Sequence, residues 1–522
     1  MSSTTENNKQ IAQNTLLLYV RMLFLMFISL YTSRVILQTL GVEDFGIYNV
    51  VGGVISMLGF LTSSLGGASS RYITYDLGKG DMNAMKKTFG NILIIHLLLA
   101  GFIILIGETL GLWFMATQLQ IPEERANAAF WVYQFSIFSS VFAIISVPYN
   151  ACIIAHEKMS AFAYISIIDA ILKLAIVYIL VIIPYDKLII YSILYFGIQL
   201  FDRIVYGVYC RKHFEETKSK PHFDKKQFKE IFAFAGWTMN GNLAVIGYTQ
   251  GLNILLNMFF GPAVNAARGI AVQVQNIARQ FCGNFQMALN PQLTKSYAIG
   301  DYSRMRDLLK VSSKFSFFLI LVISLPIMLE APLLLKWWLK TVPEHTVSFL
   351  RLILCSSFII TLSNPIITSV YATGQVKKYQ LLEGTALLTI IPISYILLKL
   401  FHLPPETVFL VHIIIEIITQ FIRIYIVLPM ISMTLREYFL DVIWPIIKVG
   451  ICVPIIPILL LHICSDNDFL SFITRSTLTI VYTLGIVYFL GCNLSEQNLV
   501  KNKLNHLLKN FKKQSKKIKI IL

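Results

Sequence analysis

Fourteen stretches of this chain are apolar over about 20 residues or more, and that property leaves few folds open. About 20 apolar residues is the length a helix needs to cross roughly 30 Å of hydrocarbon. The stretches are roughly 13–40, 46–70, 88–115, 127–154, 161–183, 187–210, 229–260, 264–290, 307–335, 347–373, 379–399, 405–430, 441–463 and 469–490. The expectation is an all-α polytopic membrane protein with about 14 transmembrane helices. Composition agrees: 56% of residues are hydrophobic and 14% charged, against about a quarter charged in soluble domains. No connection between the stretches is long enough to hold a soluble domain.

The formal net charge of +16 follows from membrane topology rather than from nucleic-acid binding. With the amino terminus placed in the cytoplasm, only Arg125, Lys187, Lys336, Lys340 and Lys399 fall in outer segments. The connection 211–229 alone holds seven Lys and Arg, and the tail from Lys501 to Lys519 holds eight. This bias places both termini in the cytoplasm. The tail mixes Leu, Ile and Lys, a composition suited to anionic lipid headgroups. The first ten residues are polar, and the long apolar segment after them has no small-residue cleavage site, so it reads as a retained span. Seven cysteines are scattered, with Cys464 alone on the outer side, so neither a disulfide framework nor a metal site is expected.

Two distant parts of the chain match. Tyr75-Asp-Leu-Gly-Lys-Gly-Asp81 and Ser296-Tyr-Ala-Ile-Gly-Asp301 are both basic-flanked, Gly-Asp-centred loops about 220 residues apart. Pro148 and Ala155 correspond to Pro365 and Ala372, and Gly41 corresponds to Gly261. The repeat divides the chain into lobes 1–215 and 216–430, each of six helices, followed by helices 13 and 14 (431–490) and the basic tail 491–522. An even number of helices inserts both lobes in one direction, giving pseudo-symmetry about the membrane normal with a cavity between the lobes. Gly52, Ser56, Gly59, Ser63, Gly66 and Ser70 form a small-residue stripe suited to close helix packing.

Charges inside the spans carry the functional reading, because an arginine at mid-membrane costs roughly 2.5–3.5 kcal/mol. Arg21 and Arg34 lie in helix 1, and Arg268 and Arg279 in helix 8. Arg268, Gln275, Arg279 and Gln286 fall close to one line at 100° per residue. Asn253 and Asn257 of helix 7 extend the polar surface. Arginine forks suit phosphate, and amides suit sugar hydroxyls, so these residues are the candidate substrate-binding set. The alternative for such a stripe is a helix–helix hydrogen-bond seam. Asp169 and Glu416 are the candidates for coupling to a proton or sodium gradient, with internal pairing to Lys173 and Arg423 as the competing explanation. His96, His412 and His462 are isolated, and no cofactor or metal is expected.

The run Ile11-Ala-Gln-Asn-Thr-Leu, the run Thr32-Ser-Arg-Val-Ile-Leu-Gln-Thr-Leu-Gly-Val-Glu-Asp-Phe-Gly-Ile-Tyr and the Gly-Asp loop after Arg71-Tyr72 resemble the polysaccharide-transporter branch of the multidrug/oligosaccharidyl-lipid/polysaccharide flippase superfamily. The resemblance implies a MATE-like fold of two six-helix lobes with two extra C-terminal helices, alternating access and no catalysis. It implies flipping of undecaprenyl-pyrophosphate-linked oligosaccharide, such as an O-antigen unit, across a bacterial inner membrane, in company with polymerase and chain-length machinery. It also marks Arg34 within the helix-1 signature. A multidrug cation exporter of the same superfamily would want a carboxylate-rich lumen, and a membrane-embedded glycosyl transferase or polymerase would need a large outer loop; neither feature is present in the sequence.

Overall fold

The computed structural model describes residues 2–56, 59–118, 121–218, 223–339, 342–463, 469–498 and 501, and every regular element among them is a helix. α1 (Ser2–Ser56), α2 (Gly59–Lys79) and α3 (Met82–Ile106) open the chain, and a π-helical turn at Gly107–Gly111 carries α3 into α4 (Leu112–Gln118). α5 (Ala126–Ala155), α6 (Met159–Ile182), α7 (Lys187–His213), α8 (Lys225–Phe260), α9 (Pro262–Ala298) and α10 (Tyr302–Leu329) follow. Next come α11 (Ala331–Leu339), α12 (Thr346–Thr373), α13 (Lys377–Leu388), α14 (Ile390–Phe401) and α15 (Thr407–Met430). The last are α16 (Leu435–Tyr438), α17 (Trp444–Cys452), α18 (Ile455–Ile463) and α19 (Phe469–Ile486).

Twelve stretches among the described residues are long and apolar enough to cross a membrane, against the fourteen expected. The two that drop out are 46–70 and 264–290. The first is shared between the end of α1 and the start of α2. The second is helical, within α9, but residues such as Arg268, Gln275, Arg279 and Gln286 make it less apolar than a membrane-spanning helix of that length. The turn near Gly41 implied by the gap between the stretches 13–40 and 46–70 is also absent, because α1 runs unbroken through it. A lone glycine costs a helix only about 1 kcal/mol relative to alanine, and no proline stands there to force a break. Gly261, its expected counterpart, does break the chain between α8 and α9, at φ +82°. The basic tail and Cys464 lie outside the described residues, apart from the first few residues of the tail.

The two Gly-Asp loops share their local structure. Gly80 and Gly300 take positive φ, 73° and 77°, the left-handed conformation glycine adopts without penalty at a helix C-terminus. The aspartate that follows each glycine caps the next helix. Asp81 accepts the N–H groups of Asn83 and Ala84 at 3.0 Å, and Asp301 accepts that of Arg304 at 3.0 Å. Such caps satisfy backbone donors that the first helical turn leaves open. The matched prolines also behave alike, since Pro148 lies inside α5 and Pro365 inside α12.

Packing divides the chain into two compact units. The first comprises residues 1–250, 284–308 and 367–388; the second comprises 251–283, 309–366 and 389–522. This division by packing differs from the division by repeat at 215/216. In the first unit, Phe89, Ile92, Ile153 and Tyr149 are buried in one apolar cluster, with the Phe89 and Tyr149 rings edge to face at 5.4 Å. Glu157, just past α5, is buried at a positive φ of 57° and accepts Lys295 Nζ at 2.5 Å and Gln292 Nε2 at 2.8 Å. Arg125, at the opposite end of α5, bridges Asp44 and Asp186, each at 2.6 Å. Burial works to raise the Asp186 carboxyl. Hydrogen bonds from Arg125 and from the Leu188 and Ile189 N–H groups outweigh it and hold the group below the usual carboxylate range.

In the second unit the buried charges are also paired. Arg475 of α19 grips Glu330 through two bonds of 2.6 and 3.0 Å, and Lys314 of α10 meets Glu496 at 2.7 Å. The chain crosses from one unit to the other after Gln250, Gly283, Leu308, Ile366 and Leu388. The first four crossings lie inside α8, α9, α10 and α12, and the fifth falls between α13 and α14.

Candidate functional site

The polar stripe of α9 is divided in its use. Arg268 donates from Nη1 to Asn253 Oδ1 of α8, across the turn at Gly261. Gln275 is buried and donates to Ser357 Oγ at 2.8 Å and to the Ile353 carbonyl at 3.3 Å, both on α12. Gln275 is therefore spent in a helix seam and is not presented to a cavity; its amide could not stay unbonded in hydrocarbon. Gln286 is likewise buried. Asn257 is exposed, and Arg279 is half-buried with no hydrogen bond or ion pair among the described residues. Spacing along α9 located the polar face, but not which amides pair with a neighbouring helix.

Arg21 lies in the first unit, half-buried, with its guanidinium 4.3 Å from the centre of the Phe162 ring. Its Nε is buried without a hydrogen-bond partner among the described residues, and Asp169 and Tyr206 are near enough to act on its charge. Asp169 accepts Lys173 Nζ at 2.8 Å, as the i,i+4 spacing predicted, and Asp202 adds a second carboxylate beside it. Arg203 donates to Tyr149 Oη at 3.2 Å and lies over the same ring. The side chain of Arg34 lies outside the described residues. Glu416 is in the second unit, 3% exposed, paired with Arg423 Nη1 at 3.0 Å and with His412 at 3.7 Å. Ser363 of α12 closes that network, accepting from Arg423 at 2.7 Å and donating to Gln420 Oε1 at 2.8 Å.

A cavity of about 590 Å³ in the first unit was not singled out from the sequence. It opens between the last turns of α2, the first turns of α8 and the turn from α12 to α13. Arg71 lines it, 4.3 Å from the Tyr72 ring centre, 5.0 Å from that of Tyr75 and 5.5 Å from that of Phe234. Nε of Arg71 donates to the Tyr371 carbonyl at 3.0 Å, which also accepts the Gly374 N–H, and Nη2 donates to that of Ala372 at 3.2 Å, at the end of α12 where carbonyls lack helical partners. Gly374, at φ +78°, allows this approach, since a Cβ there would lie 2.6 Å from Arg71 Nη2. Asp76 lines the cavity with its carboxyl raised by burial, an effect that outweighs a hydrogen bond from Thr88 and the charges of Arg71 and Lys79. The sequence did carry a signal: Arg71, Tyr72 and Tyr75 are neighbours on α2, as Phe234 and Trp237 are on α8. What joins them is the packing of α2 on α8, about 160 residues along the chain, and the bonds of Arg71 to α12, some 300 residues along.

The profile of a family described as polysaccharide biosynthesis protein matches residues 11–332. The chain belongs to that family. Its fold is that of MATE proteins. A MATE structure in the bent conformation superposes with a TM-score of 0.71 at 14% identity, over 82% of this chain and 96% of the other. An outward-facing multidrug resistance MATE family transporter of the MOP superfamily gives 0.68 at the same identity and coverage. A MOP superfamily transporter from Pyrococcus furiosus, described as having a binding pocket of reverse polarity, gives 0.65 at 14%, again over 82% and 96%. None of the curated proteins matches this sequence. The chain is thus a polysaccharide biosynthesis family member with a MATE fold, and its membrane-length apolar helices make it a multi-pass membrane protein.

Proposed function

We propose that this protein moves the polar head of a lipid-linked oligosaccharide from the cytoplasmic to the outer leaflet of a bacterial inner membrane, by alternating access and without making or breaking a bond. Membership of the polysaccharide biosynthesis family is the observation that carries the reading. The lobes 1–215 and 216–430 are the moving parts, and the shared geometry of the Gly80-Asp81 and Gly300-Asp301 loops supports their common origin. Only the head need cross, because the hydrocarbon of the substrate can stay in the bilayer.

Arg279, half-buried and without an ion pair among the described residues, is the residue to meet the pyrophosphate through its planar fork. Arg21, in the first unit, and Arg34 are further candidates by their charge within helix 1, and Arg268, held by Asn253, adds positive field beside Arg279 on α9. Asn257 is exposed and available to hydroxyls. For ion coupling, Asp169 is the better of the two carboxylates. It shares its surroundings with Asp202 and Lys173, so protonation there changes a local balance of charge. Glu416 is committed to Arg423.

Purified protein in liposomes, supplied with fluorescent undecaprenyl-pyrophosphate oligosaccharide and an external quencher, tests the reading. Redistribution of label between leaflets is expected, and it should slow when Arg279 is replaced by Lys, which keeps the charge and loses the fork. Absence of redistribution with or without an ion gradient, together with accumulation of organic cations, would replace this reading by drug export.

A further inference from the structure

The cavity lined by Arg71 has a chemistry of its own. This cation is already committed, since Arg71 is held among three rings and donates to two main-chain carbonyls. The Nε–Nη2 edge of the guanidinium, one of its bidentate edges, is thus turned to main-chain carbonyls and is closed to a phosphate. The formal charges of the lining sum to zero, with Arg71 and Lys377 against Asp76 and Glu230. An anion gains nothing from a wall of zero net charge.

The wall instead offers flat apolar faces beside strong acceptors. Trp237 is half-buried, held from one side by the Lys377 ammonium 5.2 Å from its ring centre. Tyr72 is fixed edge to face against Phe234 at 5.7 Å, so two aromatic surfaces are held in place. Asp76 is oriented by Thr88, which donates to Oδ2 at 2.5 Å, and Thr88 in turn accepts from Gln227. Gln227 accepts from Asn91 at 2.8 Å, so a chain of hydrogen bonds through α3 positions the carboxylate. Glu230 is exposed at the rim. Carboxylates accept hydroxyl donors in short, strong bonds, and a volume of about 590 Å³ lies within the roughly 300–1,000 Å³ of small-molecule sites.

We infer that this cavity binds an uncharged sugar ring, stacking its C–H face on Trp237 or Tyr72 while its hydroxyls donate to Asp76 and Glu230. The inference rests on the oligosaccharide reading and assigns the glycan, as distinct from the pyrophosphate, a receptor within the first compact unit. The glycan would then be read by α2 and α8 independently of the α9 arginines.

The test uses full-length protein in lipid nanodiscs, which avoids glycoside detergents, with methyl glucoside, methyl galactoside and methyl mannoside as probes. Saturation-transfer NMR should show at least one hexoside bound, with transfer strongest at its ring C–H protons. Equal concentrations of inorganic pyrophosphate should not displace it. Trp237→Ala and Asp76→Asn should each cut the transfer at least fivefold, while Trp237→Phe, which keeps a flat ring, should retain most of it. Thermal unfolding midpoints equal to wild type separate lost binding from lost folding. The inference is overturned if no hexoside gives transfer, if pyrophosphate displaces the sugar, or if Trp237→Ala leaves the signal unchanged. The leaflet assay on wild-type protein separates the two claims. Hexoside binding without lipid redistribution removes the transport reading and keeps the cavity, whereas redistribution unaltered in rate and in glycan preference by Trp237→Ala removes the cavity.

Discussion

Glu416 and Arg423 should be more harmful to lose singly than together. Both residues are 3% exposed, their atoms meet at 3.0 Å, and Ser363 and Gln420 complete the network. Replacing Glu416 with Leu takes from a buried guanidinium the carboxylate that meets it at 3.0 Å, and replacing Arg423 with Met leaves a buried carboxylate beside His412. Breaking a buried pair from one side costs about 3–5 kcal/mol, which is roughly 10²–10⁴-fold in the folding equilibrium. The double variant Glu416→Leu with Arg423→Met removes both charges and their desolvation cost. Replacement of a buried pair by apolar residues is often neutral or stabilising, so the double variant should lie within about 1 kcal/mol of wild type. Detergent-solubilised protein titrated with SDS and followed by circular dichroism measures each stability. A double variant as unstable as either single would refute the argument. So would a well-folded Glu416→Gln variant in which transport no longer responds to an ion gradient, because the carboxylate would then be a coupling group and not a structural one.

Gly374→Ala should cost about 1–3 kcal/mol from the left-handed backbone alone, and more in total because its Cβ would lie 2.6 Å from Arg71 Nη2. Gly300→Ala, at nearly the same φ but with nothing among the described residues within 4 Å, should show only the backbone part in the same titration. Lys295→Met leaves the Glu157 carboxylate buried and should cost about 3 kcal/mol, the low end for a broken buried pair, since the lysine is 25% exposed. Asp186, with its pKa depressed, adds stability that is complete above about pH 4, the unfolded value for Asp, and is lost as the pH falls through the lower folded value. The stability difference between wild type and Asp186→Asn should therefore be constant above that pH and shrink below it in an acid titration.

The sequence disclosed the fold because the bilayer fixes the length of an apolar helix, and a run of that length can be read without knowing its neighbours. It disclosed the Asp169–Lys173 and Glu416–Arg423 pairs for a related reason, since helical periodicity alone brings i,i+4 and i,i+7 together. Contacts between distant helices left no such trace. Gln275 looked like its neighbours on the α9 stripe, and only Ser357 on α12 shows that its amide is occupied. Arg71 stood out only as part of a family signature, while the two carbonyls that hold it are about 300 residues away. The turn expected at Gly41 failed because a helix tolerates one glycine, whereas the turns at Gly80 and Gly300 held because an aspartate cap follows each glycine.

The passages between the two compact units have a mechanical consequence. Four of the five lie within helices, and a helix, unlike a flexible loop, resists twisting and carries bending loads along its axis. Compliance is then confined to places where the rod is weakened. Gly251 in α8 and Gly283 in α9 stand at two of the crossings, Pro365 precedes the crossing in α12 by one residue, and Thr389 interrupts the helix between α13 and α14 at the last. Glycine lowers the cost of local distortion, and proline removes a backbone hydrogen bond from the turn before it. Strain applied at one unit therefore reaches the other through stiff members with four defined soft points, and only α10 crosses without one.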